Sequence, residues 1–256
     1  MPTFSIDLTQ VRIFLSLLLR IGLCFFLLPV FRAQQVPAPV KAWATVALSV
    51  MSLPLVGPFV SPFPLSPFQA AGFVVSELVF AGLFALVMHI LFGAFHLAGQ
   101  LISFQMGLGF AQVADPQTGT QNVLLGQFLQ ILATLIFFSI NGHLLVIKAF
   151  LESFQSVPVG GFFPSGEVFR AVMAQAAHLF VIAIKIAAPI LSVQILLQVA
   201  FGVVAKFSPQ INILIVSFPI TIAVGILFAI LSLAGWNDLL ALYLTRLIHF
   251  FKAVAA

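Results

Sequence analysis

Few side chains in this sequence could do chemistry, and their spacing limits what that chemistry could be. His89 and His96 stand seven residues apart and could share one helical face, as two ligands of a metal ion would. No cysteine or carboxylate constellation completes such a set, so both are read as structural histidines, and no metal or cofactor is expected. Arg20, Glu77, Lys148 and Lys185 lie inside apolar runs, where an ionisable group is costly unless paired or wet. For Glu77 and Lys185 that leaves pairing between helices, pairing between subunits, or a proton-coupling role. His143, in Asn141-Gly142-His143, reads as an interfacial or capping residue. The single Cys24 precludes an intramolecular disulfide and reads as a small hydrophobe within Leu23 to Val30. The sequence contains no H-E-x-x-H, no G-x-S-x-G elbow and no Walker loop, and GLGF lacks the lysine and the strand-to-helix setting of a phosphate loop. No catalytic residue is assigned, and the chain is not expected to be an enzyme.

The elements that carry these residues are apolar helices. Of 256 residues, 62% are hydrophobic and 6% charged, and the mean hydropathy is +1.23. That composition cannot clothe a soluble domain but suits an integral membrane protein. Six or seven helices of about 20 residues would consume most of the chain, so residues 1–256 are expected to form a single all-α integral membrane domain. The net charge of +4 comes from basic residues scattered singly through apolar sequence, which excludes a nucleic-acid stripe. Asp7 precedes the first apolar run and the run continues past Arg20, so residues 11–31 read as a retained helix rather than a cleaved signal.

Periodicity and breakers predict helices near 11–31, 41–57, 69–98, 123–151, 168–205, 211–234 and 238–254. The Pro- and Gly-rich strings PVFRAQQVPAPVKA, GPFVSPFPLSPF and VPVGGFFPSGE act as hinges between them. The run 41–57 is short for a membrane span, and 168–205 is long and contains Pro189. Arg32 and Lys41, with Lys206 by alternation, favour the cytoplasmic side through a small bias. Pro209 and Pro219 bracket about ten residues, room for a short helix only.

Small and polar residues recur along helical faces. Gly93, His96, Gln100, Ser103 and Gly107 follow at spacings of 3, 4, 3 and 4. A second stripe runs Gln127, Gln130, Thr134, Asn141 and Lys148, and a shorter one Gln194, Gln198 and Gly202. Such faces suit close helix packing with amide bonding across it, within this chain or onto other subunits. Between Gly99 and Gly119, GQLISFQMGLGFAQVADPQTG concentrates glycines and an Asp-Pro step, so a helix entering from Phe95 is predicted to open into an irregular loop. Large apolar side chains on flexible backbone suit a deformable seal.

At these residues the sequence resembles the flagellar FliR family, the R subunits of type III secretion export gates, related to the injectisome T subunits. Asn141-Gly142-His143, Ser153-Phe154 followed by Pro158, Gly160 and Gly161, and KFSPQINILIVSFP from Lys206 to Pro219 extend the resemblance over roughly residues 10 to 235. Lys206 departs from it, since the family usually carries arginine there, and a point charge replaces a planar fork.

The resemblance implies a subunit of a helically arranged hetero-oligomeric gate raised largely out of the bilayer plane. With FliP-like and FliQ-like subunits and an FlhB-like switch protein, it would form a pore for unfolded flagellar export substrates across the bacterial inner membrane, at the flagellar basal body. A plug-like loop at 106–118 would fill the lumen through Met106, Gly107, Leu108, Gly109, Phe110, Val113, Asp115 and Pro116. Gly93, Gln100, Ser103, Gln127, Gln130, Asn141, Lys206, Pro209 and Asn212 would pack against other subunits. Energy would come from a separate ATPase and the proton gradient, and the P-type subunits would add a methionine-rich constriction. Two alternatives stand beside this reading: a secondary transporter for a small solute, which lacks the matched second broken helix such proteins show, and a passive membrane scaffold.

Overall fold

The computed structural model describes residues 7–31, 36–108, 124–208, 210 and 212–255. Among them are seven α-helices: α1 (Leu8–Leu27), α2 (Ala38–Val56), α3 (Pro67–Gln105), α4 (Leu124–Ser139), α5 (Gly142–Ser156), α6 (Gly166–Phe207) and α7 (Ile213–Ala255). No strand occurs among the described residues, so the chain is all-α. Five helices are long and apolar enough to cross a membrane, or six if α4 and α5 form one bent span.

Three expected boundaries move. The run expected at 123–151 divides at Asn141, where the backbone takes a left-handed φ of 56° and α4 and α5 turn by 70°. Asn is among the residues best able to adopt that conformation, and Gly142 follows without a side chain to crowd the turn. Conversely, the segments expected at 211–234 and 238–254 fuse into α7. Gly235-Trp236-Asn237-Asp238 looked like a break, but the helix passes through it: Trp236 is buried and donates Nε1 to the Ile186 carbonyl at 3.2 Å, while Asn237 and Asp238 face outward. Pro219 does not close a short helix either, because it lies in the second turn of α7. The long α6, by contrast, runs unbroken through Pro189. At 1.5 Å per residue its 42 residues extend about 63 Å, twice a hydrocarbon core.

The chain forms two compact units. The first holds residues 1–89, 141–175 and 244–256. Asp7 caps α1 by accepting from the Thr9 amide at 3.0 Å, and Pro residues open α2 where no backbone donor is needed. The Pro-rich connector after α2 is tied to α1: Arg12 Nε donates to the Phe63 carbonyl at 2.6 Å and Ser16 Oγ to that of Ser61 at 2.9 Å. Buried Thr45 and Ser49 bond back to carbonyls one turn earlier, both at 2.8 Å. Lys41 is buried with its ammonium 5.6 Å from the Phe26 ring. Edge-to-face aromatic pairs, Phe63–Phe73, Phe80–Phe162 and Phe84–Phe150, fill the interior.

The second unit holds residues 90–140 and 176–243. Its core joins Phe92, Ile102, Met106, Leu129 and Phe137 to Ile182, Ile186 and Ile190. Much of α6 and α7 presents apolar side chains outward, among them Leu196, Val199, Ile215, Ile230 and Leu231.

Candidate functional site

The end of α3 is a fixed stop. Gly107 N–H donates to the Phe104 carbonyl at 3.1 Å and Leu108 N–H to that of Ser103 at 3.0 Å. With Gly107 at φ 80°, this is a Schellman stop, in which a left-handed glycine satisfies carbonyls the ending helix would orphan. Gly107 is required for two reasons, since a Cβ there would also lie 2.7 Å from Phe218 Cε1 of α7.

The residue before it is locked from both sides. Met106 is buried, and its sulfur and methyl lie so close to Gly225 that a Cβ there would meet both at 2.7 Å. Its carbonyl accepts from Thr221 Oγ1 at 3.2 Å. Gln194 of α6 completes the group, donating Nε2 to the Thr221 carbonyl at 2.7 Å, while its fully buried Oε1 has no partner among the described residues. Thus Met106 and Gly107 are a root, fixed by Gln194, Phe218, Thr221 and Gly225. Leu108 is half-buried beyond it. Gly109, Phe110, Val113, Asp115 and Pro116 lie outside the described residues.

The first polar stripe packs within this unit. A Cβ on Gly99 would stand 2.5 Å from the Gly126 Cα and 2.7 Å from the Leu125 carbonyl oxygen, so α3 and α4 cross backbone to backbone there. Gly126 in turn abuts His96, and His96 Nε2 lies 3.1 Å from Gln100 Nε2. Gly93 lies against Leu179, and Ser103 is buried. The second stripe is not one face, because the bend at Asn141 separates its ends. On α4, Gln127 is exposed and Gln130 half-buried; Asn141 and Lys148 are exposed. Of the third, Gln194 is buried in the root, whereas Gln198 and Gly202 are exposed. Lys206 is exposed in the last turn of α6, and Asn212 opens α7 by accepting at its carbonyl from Ile215 and Val216. Pro209 lies outside the described residues.

Sequence reasoning offered Glu77 a pairing between helices but did not name its partner. Arg20 and Glu77, both fully buried, form a bidentate pair, Nε to Oε2 at 2.6 Å and Nη2 to Oε1 at 2.7 Å. The guanidinium also donates to the carbonyls of Val157 at 3.0 Å and Pro158 at 3.4 Å, between the rings of Phe80 and Phe154. Glu77 Oε1 accepts a further bond from Gly160 N–H at 2.7 Å. Beside it, Ser76 Oγ donates to the Phe162 carbonyl at 3.0 Å and accepts from the Phe162 amide at 2.8 Å. The expected hinge VPVGGFF is therefore stitched to α1 and α3. Glu77 is paired between helices, one of the readings its place in an apolar run offered. Its only sequence signals were two opposite charges in apolar runs and a Gly-rich loop that could supply carbonyls.

No group of three His, Cys, Asp or Glu that could hold a metal ion occurs among the described residues. What remains among the described residues is an apolar helical body in which α3 ends at a fixed glycine stop. The profile of the family described as Bacterial export proteins, family 1, matches residues 11–247. The chain belongs to the FliR family of bacterial export proteins. Among its relatives are the flagellar biosynthetic protein FliR of Bacillus subtilis (strain 168), 32% identical over 86% of each chain; that of Aquifex aeolicus (strain VF5), 31% identical over 84% of this chain and 82% of the relative; and that of Escherichia coli (strain K12), 28% identical over 82% and 79%. Export-family membership and the apolar helices agree on a structural membrane component of flagellar biosynthesis.

Proposed function

We propose that this chain is a structural and gating subunit of the flagellar type III protein export gate, in the bacterial inner membrane at the flagellar basal body. As a single export-gate domain it completes, with FliP-like and FliQ-like subunits, a pore for unfolded export substrates. The stretch around Lys206 to Asn212 meets those subunits and an FlhB-like switch protein. The loop at 106–118 closes the pore at rest.

The observation that carries the gating role is the root of the loop. A seal must be flexible where it closes and anchored where it begins, and the Met106–Gly107 stop provides the anchor against Phe218, Thr221 and Gly225. Beyond it, Leu108, Phe110 and Val113 supply apolar bulk that excludes water and ions by dewetting. The root also decides which variant tests the seal. Deleting Gly107 would dismantle α3–α7 packing, whereas Phe110→Ser with Val113→Ser leaves the root intact.

The measurement is single-channel conductance of the purified complex carrying that double substitution, with the methionine-rich constriction of the FliP-like subunit also opened. Against the opened constriction alone, the double variant passes a larger current. Equal currents would return the loop to an ordinary buried connector.

A further inference from the structure

The exposed face of α6 carries a line, polar except at Val199, that the core and the ion pair leave unused. His178, Lys185, Ser192, Val199 and Lys206 follow one another at intervals of seven, and all five are exposed. Turned away from this line on the same helix, Ala183, Ile186, Ala187 and Ile190 are buried. Seven-residue spacing keeps groups in line along a seam that a second helix follows with a slight left-handed crossing. Lipid asks for no such alignment.

The line is cationic. No ion pair reaches Lys185 or Lys206 among the described residues. Asp238 lies two residues past Trp236, the α7 side chain that bonds to α6, and so about 200° round its helix from that contact. Along α6 itself, the acid nearest to Lys185 is Glu167, eighteen residues and about 27 Å away. Lys185 is also where the backbone is short of a donor. Pro189, itself exposed, has no N–H to give the carbonyl four residues earlier, which belongs to Lys185. A cation and an open carbonyl thus share one position on an apolar face. Facing lipid, a lysine at a helix centre is costly, and in membrane proteins such groups pair.

We propose that this face of α6 receives an apolar helix of a different export subunit, and that this helix presents an aspartate or glutamate to Lys185. The assignment rests on the hetero-oligomeric reading above and adds the chemistry of the partner. The exposed apolar side chains Val181, Leu196 and Val203 lie on the same face of α6 and give it apolar surface.

The test uses the tagged full-length chain purified from its own membrane with its associated subunits. A photo-crosslinker at residue 185 captures one specific second subunit. Lys185→Glu lowers recovery of that subunit about tenfold, as expected when a buried-pair partner is reversed, and Lys185→Met lowers it less. Exchanging the captured helix's carboxylate for lysine restores recovery with Lys185→Glu. Because Lys185 is exposed in this chain, neither substitution disturbs its core. Labelling of lipid only, labelling of this chain's own loop at Asp115, or unchanged recovery with Lys185→Glu would each overturn the proposal while leaving the export-gate reading standing. A wild-type chain recovered alone would overturn both.

Discussion

Arg20 and Glu77 show how a charge is kept inside an apolar body. Each brings a full charge, and together they take up backbone groups of the 157–160 segment, so removing one leaves the other buried and uncompensated. Arg20→Met is expected to destabilise the chain by about 3–5 kcal/mol, whereas Arg20→Met with Glu77→Leu recovers much of the loss; thermal unfolding of the detergent-purified protein compares the two. A single variant that melts with the wild type would refute the account. At the loop root, Gly107→Ala should cost about 1–2 kcal/mol for the left-handed backbone alone, with the Phe218 clash added, and the same melt reads it. The pair was not legible in the sequence, because Arg20 and Glu77 stand 57 residues apart and nothing in their spacing links them. The glycines of 99–119 were legible as freedom. Their use was only half legible, since Gly107 ends a helix while Gly99 buries a backbone crossing.

Among the elements, α4 and α5 owe their 70° turn to one left-handed residue. Asn141→Gly should leave stability near its original value, because glycine adopts that φ freely, while Asn141→Val should cost about 1–2 kcal/mol or straighten the junction. Spin-label distances between sites at Gln127 and Lys148 distinguish the outcomes: a longer separation in the valine variant marks straightening. At the α3–α4 crossing, Gly99→Leu has no room against Leu125 and Gly126 backbone, so the detergent-solubilised chain should lose heat resistance and complex recovery should fall. Full heat resistance in that variant would refute the crossing. Helical class and most helix positions were readable from apolar runs and proline. The junctions were not: a buried tryptophan carried α7 through a polar string that resembled a break, and a single asparagine cut an apolar run that resembled one helix.

At the scale of the whole molecule, α6 and α7 leave many large apolar side chains uncovered, far more than a chain surrounded by water would tolerate. Expressed alone, the protein should be degraded or aggregate, and co-expression with FliP-like and FliQ-like subunits should raise its yield several-fold; equal yields would argue for a self-sufficient body in lipid. The sequence made the membrane class plain through composition. It did not show which outward surface meets lipid and which meets protein, because both favour the same side chains. The Arg20–Glu77 pair also bears on how the chain is made. Arg20 leaves the ribosome well ahead of Glu77 and far ahead of Val157, so a nascent first helix carries an unneutralised cation that resists settling in the bilayer by itself. Stable insertion of α1 is therefore expected to depend on α3, and its final position on the segment after α5, which would make membrane entry of this protein a collective event among distant segments. Nascent chains arrested near residue 60 should leave α1 accessible to aqueous thiol reagents at Cys24, and chains arrested beyond residue 200 should protect it.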